Sequence, residues 1–128
     1  MKYLLDTHVM LWFLEDSKEL SGAVKEILLN GENELFWSAA SLWEITVKIS
    51  LGKLKLEEGW QQLLKKEKKI NRIRDLAIDH THCMPNLTLP WHHRDPFDRL
   101  LISQAIVENL VLLTRDEKIR KYDVKTAW

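Results

Sequence analysis

An α/β fold, with a parallel sheet covered by helices on both faces, is predicted by two features of this sequence. Short apolar runs of strand length alternate along it with stretches at helical spacing. The two clearest runs, Leu4-Leu5 and Val111-Leu112-Leu113-Thr114, also end at or just before a carboxylate, Asp6 and Asp116. The chain of 128 residues, 45% apolar and 30% charged, suits one domain with a sizeable core, so residues 1–128 are taken as a single unit.

Lys2–Leu5 forms the first strand, ending at Asp6. Thr7–Leu14 is helical, and Val9 to Leu14 is apolar on nearly every side, so other elements must cover it. Ser21 caps a second helix through Asn30, with Ala23, Val24, Ile27 and Leu28 at helical spacing and Gly31 ending it. Glu34–Trp37 is the second strand; a helix from about Ala40 to Leu51 follows and stops at Gly52. Residues 57–69 form an amphipathic helix, with Trp60, Leu63 and Leu64 inward and the lysines outward. A third strand is expected over residues 70–73 and a further helix over 76–84, before a loop framed by Pro85 and Pro90.

The best-signposted helix comes next. Asp95 is its N-cap, Pro96 its first position and Asp98 lies in its first turn, where the helix dipole favours a carboxylate. Leu100, Leu101, Ile102, Ala105 and Ile106 make it largely buried, and Asn109 closes it. The Val111–Thr114 strand, a short helix suggested by residues 117–120 and a terminal strand near 124–127 complete the chain. Right-handed crossovers put Asp6 and Asp116 on the same carboxyl edge of the sheet, as neighbours where their strands adjoin.

No apolar run approaches the roughly 20 residues of a membrane span. The first strand is broken by Asp6, unlike a signal peptide, and the single Cys83 suits a reducing compartment, so the chain is expected in the cytoplasm. Basic and acidic residues balance at 19 each. Composition alone therefore does not announce a nucleic-acid partner, although the basic runs Lys65–Arg74 and Arg115–Lys125 suit either a solvated face or a phosphate track.

Four carboxylates border apolar elements: Asp6, Glu44, Asp98 and Asp116. Each has a plain structural role open to it. Asp6, Asp98 and Asp116 suit helix starts, and Glu44 can pair with Lys48 one turn on. If instead they converge, their like charges need protons or a cation. An all-oxygen set points to Mg2+, with Mn2+ as a substitute, rather than zinc.

Four segments carry a resemblance, in order and over nearly the whole chain. Leu4-Leu5-Asp6-Thr7-His8, Ser38–Ile45, His93–Arg99 and Leu113-Thr114-Arg115-Asp116 resemble those of PIN-domain proteins of the VapC-type toxin group. The resemblance implies a three-layer α/β/α sandwich of strand order 3-2-1-4-5 and an Mg2+-dependent endoribonuclease acting on RNA. It also implies a cognate antitoxin and a homodimer, the latter through exposed apolar parts of the early helices. Carried over residue by residue, Asp6, Glu44, Asp98 and Asp116 are the metal-site acids, with one or two ions. Asp95 lies in the same motif, although capping explains it fully. Thr7, Ser41 and Thr114 would orient carboxylates, Lys48 would anchor a phosphate or pair with Glu44, and His93 and Arg99 fall in the motif without an assigned role.

Competing classes have features of their own. His80, His82, Cys83, His92 and His93 raise zinc, but in no familiar ligand spacing. Trp12, Trp37 and Trp43 lie in apolar runs and are expected in the core, whereas Trp91 is free to contact a base. A phosphoacceptor domain would want paired acids after the first strand, and an aspartate-nucleophile phosphatase a second aspartate where His8 stands. Only four glycines and no Gly-rich loop count against a nucleotide-binding enzyme. The strongest rival is a PIN-fold binding module without turnover, acting through protein partners.

Overall fold

The computed structural model describes residues 1–128 and contains a five-stranded, all-parallel sheet. Its strands are β1 (Lys2–Leu5), β2 (Glu34–Ser38), β3 (Ile73–Leu76), β4 (Val111–Leu113) and β5 (Thr126–Ala127). They lie in the order β3-β2-β1-β4-β5, as expected for the three-layer fold. The helices are α1 (Thr7–Leu14), α2 (Gly22–Leu29), α3 (Ala39–Ser50), α4 (Trp60–Ile70), α5 (His80–Cys83) and α6 (Pro96–Glu108).

Alternation along the strands separates two cores. Tyr3, Leu5, Leu35, Trp37, Val111 and Leu113 join Val9, Met10, Val24, Leu28 and Leu64 on the face that α1, α2 and α4 cover. Leu4 and Leu112 point the other way, onto Leu101, Ile102 and Ala105 of α6 and onto Ile119 and Tyr122. The chain reverses its direction of growth at β1, which lies between β2 and β4. That switch point is where open α/β sheets place a crevice at their carboxyl ends.

Several local expectations need correction. The third strand is not residues 70–73. The helix α4 runs on through Ile70, which is 61% exposed, and Arg72 turns the chain with φ 54° before Ile73 enters the sheet. Nor do residues 76–84 form one helix: Leu76 belongs to β3, and Asp79 starts a single turn by accepting from the Thr81 amide at 2.8 Å. Pro85 then sits in a separate 3-10 turn, Met84–Leu87. The amphipathic helix begins only at Trp60 because Gly59, at φ 87°, turns the chain into it. Leu64 is buried there, but Leu63 is exposed. Residues 117–120 contribute to a 3-10 turn, Ile119–Lys121, rather than an α-helix.

Trp43 is the largest departure in the expected core. It is 65% exposed, because Ala40, Ser41, Glu44 and Ile45 form the buried face of α3 and Trp43 projects opposite. Trp37 is buried as expected, and Trp12 only partly. The Val9–Leu14 run is largely consumed by the core: Val9, Met10 and Leu11 are buried, and Trp12, Phe13 and Leu14 pack against them. No helix is long and apolar enough to cross a membrane.

Candidate metal centre at the carboxyl edge

The parallel register brings the ends of β1 and β4 together. The Asp6 amide donates to the Leu113 carbonyl at 3.1 Å, and the Thr114 hydroxyl donates to Asp6 Oδ2 at 2.7 Å. Asp6 occupies the N-cap position of α1, but its side chain caps nothing. Its other oxygen, Oδ1, is buried without a hydrogen-bond partner. Burial pushes the Asp6 carboxyl up; the Thr114 hydroxyl, His8 and the Thr7 amide oppose this, and Glu44 adds to it.

Glu44 arrives from α3 and is 2% exposed. The Thr7 hydroxyl lies 2.8 Å from Glu44 Oε1 and 2.9 Å from the Ser41 hydroxyl. A hydroxyl has one proton, so Thr7 donates to the carboxylate and accepts from Ser41. Lys48 Nζ donates to Glu44 Oε2 at 2.5 Å, so the i,i+4 pair exists, with its acid buried rather than exposed. Burial alone would depress the Lys48 ammonium. Its hydrogen bond to Glu44 and the charges of Glu44, Asp95 and Asp98 hold it above its ordinary value.

Asp95 does cap α6, accepting from the amides of Phe97 at 2.8 Å and Asp98 at 3.2 Å. Asp98, one turn inside the helix, lies in the crowd. Burial first, then Asp6, Asp95, Glu44 and Asp116, push its carboxyl up to about 8. Burial also works upward on Asp116, but hydrogen bonds from His93 and the Lys118 amide outweigh it, leaving that carboxyl below its usual value.

His93 links these last two acids. Its Nε2 is 3.0 Å from Asp98 Oδ2 and 3.0 Å from Asp116 Oδ2. Nδ1 accepts from the Asp95 amide at 3.2 Å, which leaves the ring proton on Nε2, between the two carboxylates. His93, Asp98 and Asp116 present ligand atoms that all lie within 4.8 Å of one another. Glu44 has both oxygens engaged by Thr7 and Lys48 and reaches Asp98 through its charge. The histidines expected to raise zinc separate: His82 is buried against Glu108, with Nε2 at 2.8 Å, far from this role.

A cleft of about 250 Å³ opens over Asp6, Asp98 and Asp116, walled by His8, Trp12 and Arg115. Sequence reasoning missed these three walls. Arg115 pairs with Glu19 at 2.5 Å and lies 4.5 Å from the centre of the Trp12 ring. Its place next to Asp116 was the available signal. Arg99 points away from the acids, into the loop at Asn86–Trp91.

The donor chemistry fits a hard divalent cation. A desolvated, unpartnered carboxylate oxygen on Asp6 and a proton-holding Asp98 beside like charges are what such an ion would compensate.

The family model described as PIN domain matches residues 3–125. The chain belongs to the PIN domain family. Among solved structures, this PIN domain is similar to a chain of VapBC2 from Rickettsia felis, a structure bound to a DNA fragment from their promoter. The TM-score is 0.77 at 21% identity, covering 99% of this chain and 98% of that one. A chain of VapBC-1 from nontypeable Haemophilus influenzae gives a TM-score of 0.63 at 19% identity, covering 99% and 97%. At those identities the likeness is one of fold. No curated protein sequence matches this PIN domain significantly.

Proposed function

We propose that this PIN domain is a divalent-metal-dependent endoribonuclease and the toxin of a toxin–antitoxin pair. The observation that carries the reading is the crowding around Asp98, whose carboxyl is raised to about 8 by burial and by Asp6, Asp95, Glu44 and Asp116. Nuclease chemistry on a phosphodiester uses such a cluster to hold a cation. Membership of the family and a fold shared with chains of two VapBC structures support the toxin role and a cognate antitoxin.

Asp6, Glu44, Asp98 and Asp116 would hold Mg2+, or Mn2+ in its place. The chemistry supplied by a bound ion is activation of water and neutralisation of charge on the scissile phosphate. The chain's own groups do the rest. Thr114 and Thr7 orient Asp6 and Glu44, while Lys48 offsets the charge of Glu44. His93 spaces Asp98 and Asp116 through its Nε2 proton. Of the four acids, Asp98 or Asp116 would be the one held back from direct contact with the ion, its ionised carboxylate orienting the attacking water as general base. Arg115, on the wall of the cleft, attracts the phosphodiester.

The protein works in the cytoplasm as a homodimer. The early helices offer little for that contact, since the core consumes Val9–Leu11. Exposed Trp43 and Leu42 on α3 support it better. The deciding experiment is cleavage of a defined RNA pool with and without Mg2+, using Asp98→Asn as control. Equal cleavage by Asp98→Asn and wild type, in preparations free of other nucleases, would overturn the assignment.

A further inference from the structure

The loop that delivers His93 to the acids carries a second feature that the cleft does not use. Trp91 is 69% exposed, yet its ring is pinned: the Arg99 guanidinium lies 3.6 Å from the ring centre. Arg99 is itself 2% exposed and fixed on every side. Its Nε donates to Asn86 Oδ1 at 2.9 Å, and its Nη1 to the Pro90 carbonyl at 2.7 Å and the Tyr122 hydroxyl at 3.2 Å. Its Nη2 donates to the carbonyls of Asn86 and Leu89, each at 3.3 Å.

None of these acceptors is a carboxylate. A buried, whole positive charge therefore lies under one face of the indole, held there by neutral groups and by the ring's own electrons. The residue is otherwise largely exposed. Beside the ring is a cavity of about 240 Å³, whose lining includes Asn86, Arg94, Arg99 and Leu100 but no carboxylate. An immobile, half-covered aromatic with exposed Arg94 nearby suits a planar, electron-rich group attached to an anion.

Position decides which group. Trp91 precedes His93 by two residues, so their Cα atoms are at most about 7 Å apart. His93 touches Asp98 and Asp116. A nucleic-acid strand with a phosphate at the acids therefore passes within a few nucleotides of the indole. We propose that Trp91, backed by Arg99, is a stacking platform for one unpaired RNA base of the strand bound at the acids. The platform rests on the RNA-cleaving reading of the acid cleft and extends it to the substrate: a single strand, since the faces of a paired and stacked base are already covered. It tolerates any base, because every base has a π-face.

The test is binding, measured by fluorescence anisotropy in the Asp98→Asn background with Mg2+, so that strands survive. The probes are short adenylate and uridylate strands, and an abasic ribose-phosphate strand of the same length. Trp91→Ala should weaken base-bearing strands about 5- to 150-fold, the range for one lost stack. Trp91→Phe should stay within a few-fold of the parent, and both variants should bind the abasic strand as the parent does. Equal binding of base-bearing strands by Trp91→Ala and its parent overturns the platform, as does an equal loss on the abasic strand. A wild type that cleaves RNA while Trp91→Ala binds normally sinks the platform alone. A wild type that does not cleave RNA and a parent that binds no strand sink the ribonuclease reading with it.

Discussion

The Thr114 hydroxyl donates to Asp6 Oδ2 at 2.7 Å, joining the ends of two strands 108 residues apart in sequence. The second oxygen of Asp6 has no partner. Thr114→Val therefore leaves a buried carboxylate with no hydrogen bond from a side chain. Metal-free Thr114→Val should be less stable by about 1–3 kcal/mol, the cost of an unsatisfied buried group. Urea midpoints measure this, and an unchanged midpoint would show that the bond is not formed in solution.

Acidity gives a second prediction. The Asp98 carboxyl rises from 3.8 to about 8 on folding, through burial first and then its acidic neighbours. A raised folded value means that stability is lost as pH climbs from about the unfolded value towards 8, and stays lost above it. Asp116 has the opposite sign, its folded value being lowered, so its contribution is lost only as pH falls below the ordinary carboxylate range. Metal-free protein should therefore melt lower at pH 8 than at pH 5. Asp98→Asn should flatten that slope and raise the melting temperature at pH 8. A variant melting below wild type throughout would mean that Asp98 serves the helix dipole instead.

Mg2+ or Mn2+ should raise the wild-type melting temperature at neutral pH by binding only the folded state. The rise should shrink in Asp98→Asn. Amide replacement of Asp6, Glu44, Asp98 or Asp116 should each remove most RNA cleavage. Asp95→Asn should be milder, since asparagine also caps helices well. Cleavage by Asp6→Asn at the wild-type rate would break the set.

His93 offers a separable test. Its Nε2–H serves both Asp98 and Asp116, so His93→Ala sets those carboxylates against each other without a donor between them. Above pH 8, where Asp98 is ionised, the metal-free variant should melt lower than wild type, and its melting temperature should gain more from Mg2+. The same gain in both proteins would show that His93 does not space the acids.

Self-association is checked by sedimentation at tens of micromolar, an order of magnitude suited to weak interfaces. A dimer is expected, and Trp43→Lys should dissociate it, because Trp43 is 65% exposed on α3. A wild-type monomer under those conditions would remove the homodimer.

Local chemistry made much of this protein legible in sequence. The Asp95 cap, Pro96 at the helix start and Asn109 in the left-handed conformation at its end each act within a few residues. The short apolar runs of β1 and β4 likewise mark strands buried on both faces by their own composition. So the α/β class, the ends of β1 and β4 and the carboxylates bordering apolar elements were readable from neighbours alone, and the resemblance carried the strand order and the metal-site role expected of the acids. Where two local signals competed, tertiary packing decided. The apolar Ile70 and Ile73 looked like one strand, but α4 took the first and the sheet the second. Trp43 looked buried until α3 turned Glu44 and Ile45 inward instead. His93 between Asp98 and Asp116, Arg115 on Trp12 and Arg99 under Trp91 lay beyond reach for a different reason. Each depends on a loop closing onto an element elsewhere in the fold, and side-chain meetings across such distances follow from strand order and packing, not from spacing along the chain.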